Sequence, residues 1–470
     1  MEAKRMTAWP RRWWALTVLC MGAFLSPLDF FIVNVALPGI RSGLHASAAS
    51  LQLVIAGYGA AYAVCVVTGG RLGDMYGRKR VFIVGMVLFT LTSALCALAV
   101  NVEWLIAARV MQGMSAAMLA PQVLSTIRVI FPVAEQPAAM GIFGAVFGLA
   151  AIAGQLLGGM LIRAEIFGFT WESVFMINIP VGIITCITGM YILKENRPPE
   201  RQQPDLPGML LITAALLLFI CPVILGREAH WPVWTFVSMA LSAVAGVWFV
   251  KTEQRVLQQG GSPLIYLPLL RDPYFVRSLI IIFLYNHTAA FFLVYPYYLQ
   301  NGLHWDALAA GFSVLPYAAG FFAGPLISPL LARRTGIYAA GAGQMLLSIG
   351  LMGAATVLWL DAPPGWALKA ALFVAGIGHG IVMPSMVRLA MVGMEEHMAG
   401  QASGMVSTAI QVGSVLGVAL LGTLFFALLD RYTGIVAVTV TLACLACIQG
   451  IALMMVFFLK SALTSSGKIK

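Results

Sequence analysis

Gly69-Gly70-Arg71-Leu72-Gly73-Asp74-Met75-Tyr76-Gly77-Arg78-Lys79-Arg80 joins two long apolar runs, and the fold turns on how this stretch is read. Its glycines allow a tight turn. Asp74 can face a helix N-terminus or a basic residue, and the Arg78-Lys79-Arg80 run holds a loop on the cytoplasmic face of a membrane. The flanking runs are then membrane helices. Runs of about 20 apolar residues, each long enough to span hydrocarbon, recur along the whole length. They are centred near positions 25, 61, 90, 113, 150, 184, 217, 241, 286, 320, 348, 377, 414 and 447. The 470 residues are 60% hydrophobic and only 10% charged, against roughly 25% charged in a soluble domain. No water-soluble fold hides that much apolar surface. The sequence specifies an all-α polytopic membrane protein with fourteen spans.

A net charge of +10 would suit a polyanion such as nucleic acid, but its distribution argues otherwise. With the N-terminus in the cytoplasm, 22 of the 28 Lys and Arg residues fall in cytoplasmic segments. Arg41, Arg163, Arg227, Lys369 and Arg431 fall on the opposite side, and Arg109 alone lies in a span. This positive-inside asymmetry puts both termini in the cytoplasm. The basic charge sets topology, and no nucleic acid is expected as a partner. Ala46-Ser47-Ala48 resembles a cleavage site, but the apolar run before it exceeds the h-region of a signal peptide, so the first span is expected to stay. All seven cysteines fall in predicted spans, which speaks against a disulfide framework. Cys444 and Cys447 have the spacing of a metal or redox pair. No His or second pair lies nearby in sequence, so they read as two small apolar residues on one helix, and no metal site is expected.

The most polar internal segment runs from Lys194 to Asp205 and has the proline and charge content of a linker. A second polar segment lies around Lys251 to Arg277. These divide the chain into a six-span block over 1–195, an insert with two further spans over 196–272, and a second six-span block over 273–470. The outer blocks show faint repetition. Leu72 and Gly77 correspond to Leu331 and Gly336, Gln112-Gly113 to His379-Gly380, and Gly154 to Gly417. Repeated helical halves with a site near the midplane are a feature of secondary transporters.

The ordered pattern of Gly70, Leu72, Asp74, Gly77, Arg78, Lys79 and Arg80 resembles motif A of the major facilitator superfamily. Leu28-Asp29 through Ala36-Leu37-Pro38 is similar to the first-helix motif of its fourteen-helix drug:proton antiporter branch. Arg109-Val110-Met111-Gln112-Gly113 resembles motif B. Gly144, Gly148, Gly154, Gln155, Gly158 and Gly159 together resemble motif C of antiporters. Phe175-x2-Asn178-x-Pro180-x-Gly182 matches the start of the family's sixth helix, and Gly400 through Gly422, with Gln411, resembles its thirteenth. The chain also departs from the pattern. Phe31 stands where Thr is usual, and Gln155 where motif C has Pro. Trp171-Glu172-Ser173 replaces Trp-Arg-Trp, and Leu331 to Gly336 has lost the acid of motif A. The resemblance implies a major facilitator fold of two six-helix bundles plus two extra linker helices. It also implies a monomer among the lipids of a bacterial-type inner membrane, with no cofactor and a proton gradient as the driving force.

Asp29 is the only one of the eighteen Asp and Glu residues well inside a predicted span. An ionised Asp at mid-bilayer costs roughly 2.5–3.5 kcal/mol on insertion scales, so such a residue normally faces a cavity with a partner or a job. Burial disfavours the charge on a carboxylate and a nearby guanidinium favours it. In the family fold the first and fourth helices line the cavity, so Arg109 is the implied partner. A movable Arg would let Asp29 take up and release a proton, whereas a fixed pair would only secure helix packing. A third reading has Asp29 bind a cationic substrate directly. The same implied cavity would hold Asn34 and Gln112 from the first half. From the second it would hold Tyr285, His287, Phe291, Phe292 and Tyr295 of the ninth span, and His379 and Met383 of the twelfth. Aromatics with a few polar groups suit a moderately apolar organic substrate.

The expected function is proton-driven export of drug-like or natural-product organic molecules, with the same fold carrying a lipid, amino acid or other metabolite as the alternative. A membrane-embedded enzyme is disfavoured: the chain has no P-loop, no HExxH and no intramembrane His or Asp constellation. A sensor would need an added soluble domain, and no loop here is long enough.

Overall fold

The structure is a computed structural model that describes residues 11–132, 135–195, 205–259, 261, 263–336, 338–360, 365–390 and 396–465. Most of the predicted linker after Lys194 therefore lies outside the described residues. Those described are almost wholly helical, as hydrocarbon demands of a chain that must satisfy its own backbone. The chain packs as two compact units, one running to Thr213 and the other beginning at Ala214.

The first unit holds α1 (Arg12–Gly43), α2 (Ala48–Tyr76), α3 (Arg78–Ala97), α4 (Val102–Ala117), α5 (Ala120–Ile130) and α6 (Gln136–Ala164). A single turn, α7 (Ser173–Met176), then leads into α8 (Asn178–Ile192). Ser47 caps α2 and Asn101 caps α4, each accepting a backbone N–H of the first turn. Within this unit α2 packs along α4, and α1 along α6.

Thirteen of the fourteen expected spans are found among the described residues as helical stretches, each long and apolar enough to cross a bilayer. The difference is the fourth span. It divides into α4 and α5 at Met118-Leu119, and neither piece reaches spanning length. Pro121 supplies the cause, because it has no N–H for the Ala117 carbonyl and its ring presses on that group. The freed carbonyl lies where a Cβ on Gly69 of α2 would stand, and Gln122 Nε2 donates to Gly69 O at 2.6 Å. Hydropathy registers one span here, and the proline interrupts its helix without ending the apolar run.

Two helices lie between the blocks in chain order, α9 (Leu206–Glu228) and α10 (Val233–Gln258). Ser238 and Ser242 of α10 donate to the carbonyls of Leu218 and Ala215 of α9 at 2.8 and 2.7 Å. The outer face of α10 exposes Trp234, Phe236, Leu241 and Trp248, the composition a lipid-facing helix needs.

The rest of the second unit comprises α11 (Pro273–Asn286), α12 (Ala289–Asn301), α13 (Ala307–Thr335), α14 (Tyr338–Trp359), α15 (Trp366–Ala390), α16 (Glu396–Leu429) and α17 (Gly434–Ser465). Its pairings repeat those of the first unit: α13 packs along α15 as α2 does along α4, and α11 along α16 as α1 does along α6. Small residues permit the close approach. A Cβ on Gly113 would meet Tyr58 O, and one on Gly376 would meet Tyr317 O. Gly113 therefore corresponds to Gly376, one turn before the Gly380 that the sequence repeat suggests. Gly380 instead faces Phe321 O. Gly154 packs on Leu28 and Phe31 of α1, and Gly417 on His287, the residue that follows α11. The last pairing agrees with the sequence.

Candidate functional site

Asp29 and Arg109 meet inside the first unit, both with no exposed surface. Arg109 Nη1 donates to Asp29 Oδ2, and Arg109 Nε donates to Val54 O of α2 at 3.1 Å. Gln112 lies three residues along α4 from Arg109 and so shares its face. Its Nε2 donates to Asp29 Oδ1 at 3.0 Å, and its Oε1 accepts from Arg109 Nη1 at 2.7 Å. A third donor comes from α8: Asn178 Nδ2 reaches Asp29 Oδ1 at 2.8 Å. Ser93 of α3 ties the ring together, its Oγ accepting from Gln112 at 3.2 Å and Asn178 at 3.0 Å and donating to Phe175 O at 2.9 Å. The guanidinium also lies over the Tyr58 ring, 4.2 Å from its centroid.

Around this one carboxylate of α1, the network draws in groups from four other spans of the block, α2, α3, α4 and α8. The desolvation of two buried ions amounts to several kcal/mol each, and pairing together with further hydrogen bonds is what offsets it. Asn178, Ser93 and Tyr58 are absent from the sequence-derived site. Asn178 was visible only as part of a motif, and Ser93 and Tyr58 carry no pattern that sets them apart. Asn34, expected in the cavity, donates to Phe30 O of its own helix at 2.6 Å and is buried. A second fully buried acid, Glu253, sits in the last turns of α10, where its Oε2 accepts from Ile265 N at 2.7 Å.

In the motif A loop, Gly77 takes a φ of 103°, which L side chains rarely adopt. Gly77 ends α2 and begins the turn into α3, and a Cβ there would strike the Glu195 carboxylate. Glu195 Oε1 accepts from Lys79 N at 3.2 Å, and Arg80 lies 3.7 Å from Glu195 Oε2. A carboxylate at the start of α3 complements the helix dipole. Lys79 Nζ donates to Met190 O at 2.6 Å and Arg78 Nη1 to Ser125 O at 3.0 Å. The loop is thereby fastened to α5 and to the end of α8. Gly70 packs on Pro121, and the Asp74 side chain lies outside the described residues. In motif C, Gly154 and Gly158 pack on α1 at Phe31 and Ile32, and Gln155 Nε2 donates to Phe31 O at 3.4 Å. Gly144, Gly148 and Gly159 lie on the same helix, α6.

In the second unit the structure brings together Tyr285, Phe291, Phe292, Tyr295 and His379, with Tyr317 and Phe321 of α13 added. Phe291 stacks on Tyr317, centroids 4.4 Å apart and planes 20° apart, and on Tyr295 at 5.3 Å and 12°. Phe292 meets Tyr317 edge-on. The Tyr317 hydroxyl bonds His379 Nδ1, Tyr285 Oη donates to His379 O at 2.8 Å, and Phe321 lies 4.5 Å from the imidazole. His287 is not part of this cluster. Its Nδ1 bonds Phe283 O at 3.0 Å, and its backbone packs on Gly417. Met383 is half-buried one turn beyond His379. Tyr317 stands 259 residues after Tyr58, the offset that separates Leu72 from Leu331, so the repeat held the signal for it.

Residues 19–418 match the family model described as Major Facilitator Superfamily. The chain belongs to this superfamily. It is 38% identical over 425 residues to the "Probable actinorhodin transporter" of Streptomyces coelicolor, an alignment covering 89% of this chain and 73% of that protein. It is 31% identical over 425 residues to the "Tetracenomycin C resistance and export protein" of Streptomyces glaucescens, covering 88% and 76%. Among solved structures, it resembles a bacterial homolog of the human lysosomal transporter Spinster with a TM-score of 0.68 at 14% identity, covering 97% and 98% of the two chains. That likeness is one of fold. This major facilitator protein is therefore a multi-pass membrane transporter and not an enzyme.

Proposed function

We propose that this transporter exports a drug-like or natural-product organic molecule by proton antiport through alternating access. It acts as a monomer in a bacterial-type inner membrane, with both termini cytoplasmic and no cofactor. Two six-helix blocks, 1–195 and 273–470, flank the insert at 196–272. The observation that carries the coupling is the buried Asp29, held by Arg109, Gln112 and Asn178 with no exposed surface. A carboxylate in an apolar bundle needs such a set of partners, and proton exchange is the use of it that fits a transporter. Export is supported by relatives named for transport of actinorhodin and for resistance to and export of tetracenomycin C. Tyr285, Phe291, Phe292, Tyr295 and Tyr317 are buried and form the backing, and the half-buried Phe321, His379 and Met383 supply the surface against which an organic substrate rests. Membrane potential contributes roughly 2.3 kcal/mol per charge per 100 mV to uphill export.

The test is substrate-induced proton movement in proteoliposomes, using actinorhodin, tetracenomycin C and a panel of cationic, neutral and anionic compounds. The reading holds if a compound of this class drives proton flux in wild type. It fails if every compound tested moves without protons, or if only lipids, amino acids or small metabolites are carried.

A further inference from the structure

Asp29 is held by donors alone. Arg109, Gln112 and Asn178 each give a hydrogen to its carboxylate. A carboxylic acid has a different need, because its O–H requires an acceptor. Arg109 has none to offer. Gln112 Oε1 is taken by Arg109 Nη1 at 2.7 Å and Cys96 Sγ at 3.5 Å. Ser93 Oγ already accepts from two amides and donates to Phe175 O. Asn178 differs: its Nδ2 bridges Asp29 and Ser93, while its buried Oδ1 has no hydrogen-bond partner among the described residues. An unused acceptor therefore sits on the same planar group that donates to the carboxylate.

We propose that Asn178 is a positioning residue that registers the proton on Asp29 by inverting its side-chain amide. It donates from Nδ2 to the carboxylate and accepts through Oδ1 from the carboxylic acid. The inversion exchanges two atoms of nearly equal size, so it requires no repacking. Ser93 keeps the Gln112 donor throughout. As found, Nδ2 makes two hydrogen bonds and only Oδ1 lacks a partner. The inverted amide leaves its N–H groups unpaired and needs the Ser93 hydroxyl to turn from Phe175 O to Oδ1, so it is the minor form until the proton on Asp29 favours it. The other titratable or charged groups facing this centre are Arg109 from α4, Tyr58 from α2 and Cys96 from α3, and none of them offers a free acceptor beside Asp29 Oδ1.

This inference rests on the antiport reading, and its test separates the two. Difference infrared spectroscopy on the full chain in lipid nanodiscs, titrated from acid to alkaline pH, reads the carboxylic C=O band that Asp29→Asn removes. Asn178→Thr retains a hydroxyl that both donates and accepts, and Asn178→Val, of similar size, does neither. The band is expected at its wild-type position in the Thr variant and at higher wavenumber in the Val variant. Proton-driven transport is expected to fall by about tenfold or more in Val and by no more than about threefold in Thr. An unshifted band in Asn178→Val overturns the proposal, as does a Thr variant that fails as badly as Val. Absence of any Asp29 band across the titration removes the antiport reading, and this inference with it.

Discussion

The Arg109 guanidinium lies 4.2 Å from the centroid of the Tyr58 ring, so the buried cation rests on an aromatic face as well as on its carboxylate. Arg109 Nη2 has no hydrogen-bond partner among the described residues, and the ring face is what offsets that deficit. Tyr58→Leu is expected to lower stability by about 2 kcal/mol. Tyr58→Phe keeps the face, loses only the hydroxyl contacts to Ser26 and is expected to cost about 1 kcal/mol. Unfolding in detergent, followed by tryptophan fluorescence, distinguishes them, and equal losses contradict the stacking role.

The ion pair itself predicts strong non-additivity. Asp29→Asn leaves a buried guanidinium without its counter-ion, and Arg109→Leu leaves the carboxylate with its amide donors but no counter-ion, at about 3–5 kcal/mol each. The double variant removes both charges and is expected to be more stable than the sum of the single losses implies. A double-mutant cycle on unfolding midpoints reads the coupling. Simple additivity would mean that the two charges do not share one site.

Gly77 and Glu195 meet at the motif A turn. Gly77→Ala forces a side chain into a φ of 103° and onto the Glu195 carboxylate, with a cost of about 1–3 kcal/mol. Glu195→Gln weakens only a partly exposed contact, worth up to about 1 kcal/mol. Combining Gly77→Ala with Glu195→Ala relieves the collision but not the backbone strain, so a partial recovery in thermal stability is expected. No recovery would place the whole cost in the backbone.

Gly376 predicts sensitivity to a single methyl group. A Cβ there meets the Tyr317 backbone carbonyl, which cannot move aside without separating α13 from α15. Gly376→Ala is therefore expected to destabilise by roughly 1–3 kcal/mol. Gly353→Ala is the control, because its Cβ would make an ordinary 3.5 Å contact with Ala371. If both variants unfold at the wild-type temperature, the close helix crossing is not a source of stability.

Much of the architecture is legible in residue order. The glycine turn and basic run at 69–80 gave the membrane hairpin, and an acid and an arginine in otherwise apolar helices gave the paired centre. What escaped has physical causes. Pro121 interrupts the helix of the fourth span, but a hydropathy average over about 20 residues is insensitive to one missing N–H. Asn178 lies 149 residues from Asp29, and a buried amide looks the same in sequence whether it secures packing or faces a carboxylate. Gly376 and Gly380 are one helical turn apart, so sequence alone chose the wrong counterpart for Gly113. His287 and His379 are both expected at the implied cavity, yet the chain turns one toward Phe283 and the other toward Tyr317.

Reconstituted wild type and Asp29→Asn, compared for substrate accumulation against its gradient under an imposed proton gradient and for substrate exchange without one, decide whether Asp29 couples transport to protons. Asp29→Asn is expected to retain exchange and to lose proton-driven accumulation. Full proton-driven accumulation by Asp29→Asn would contradict that coupling.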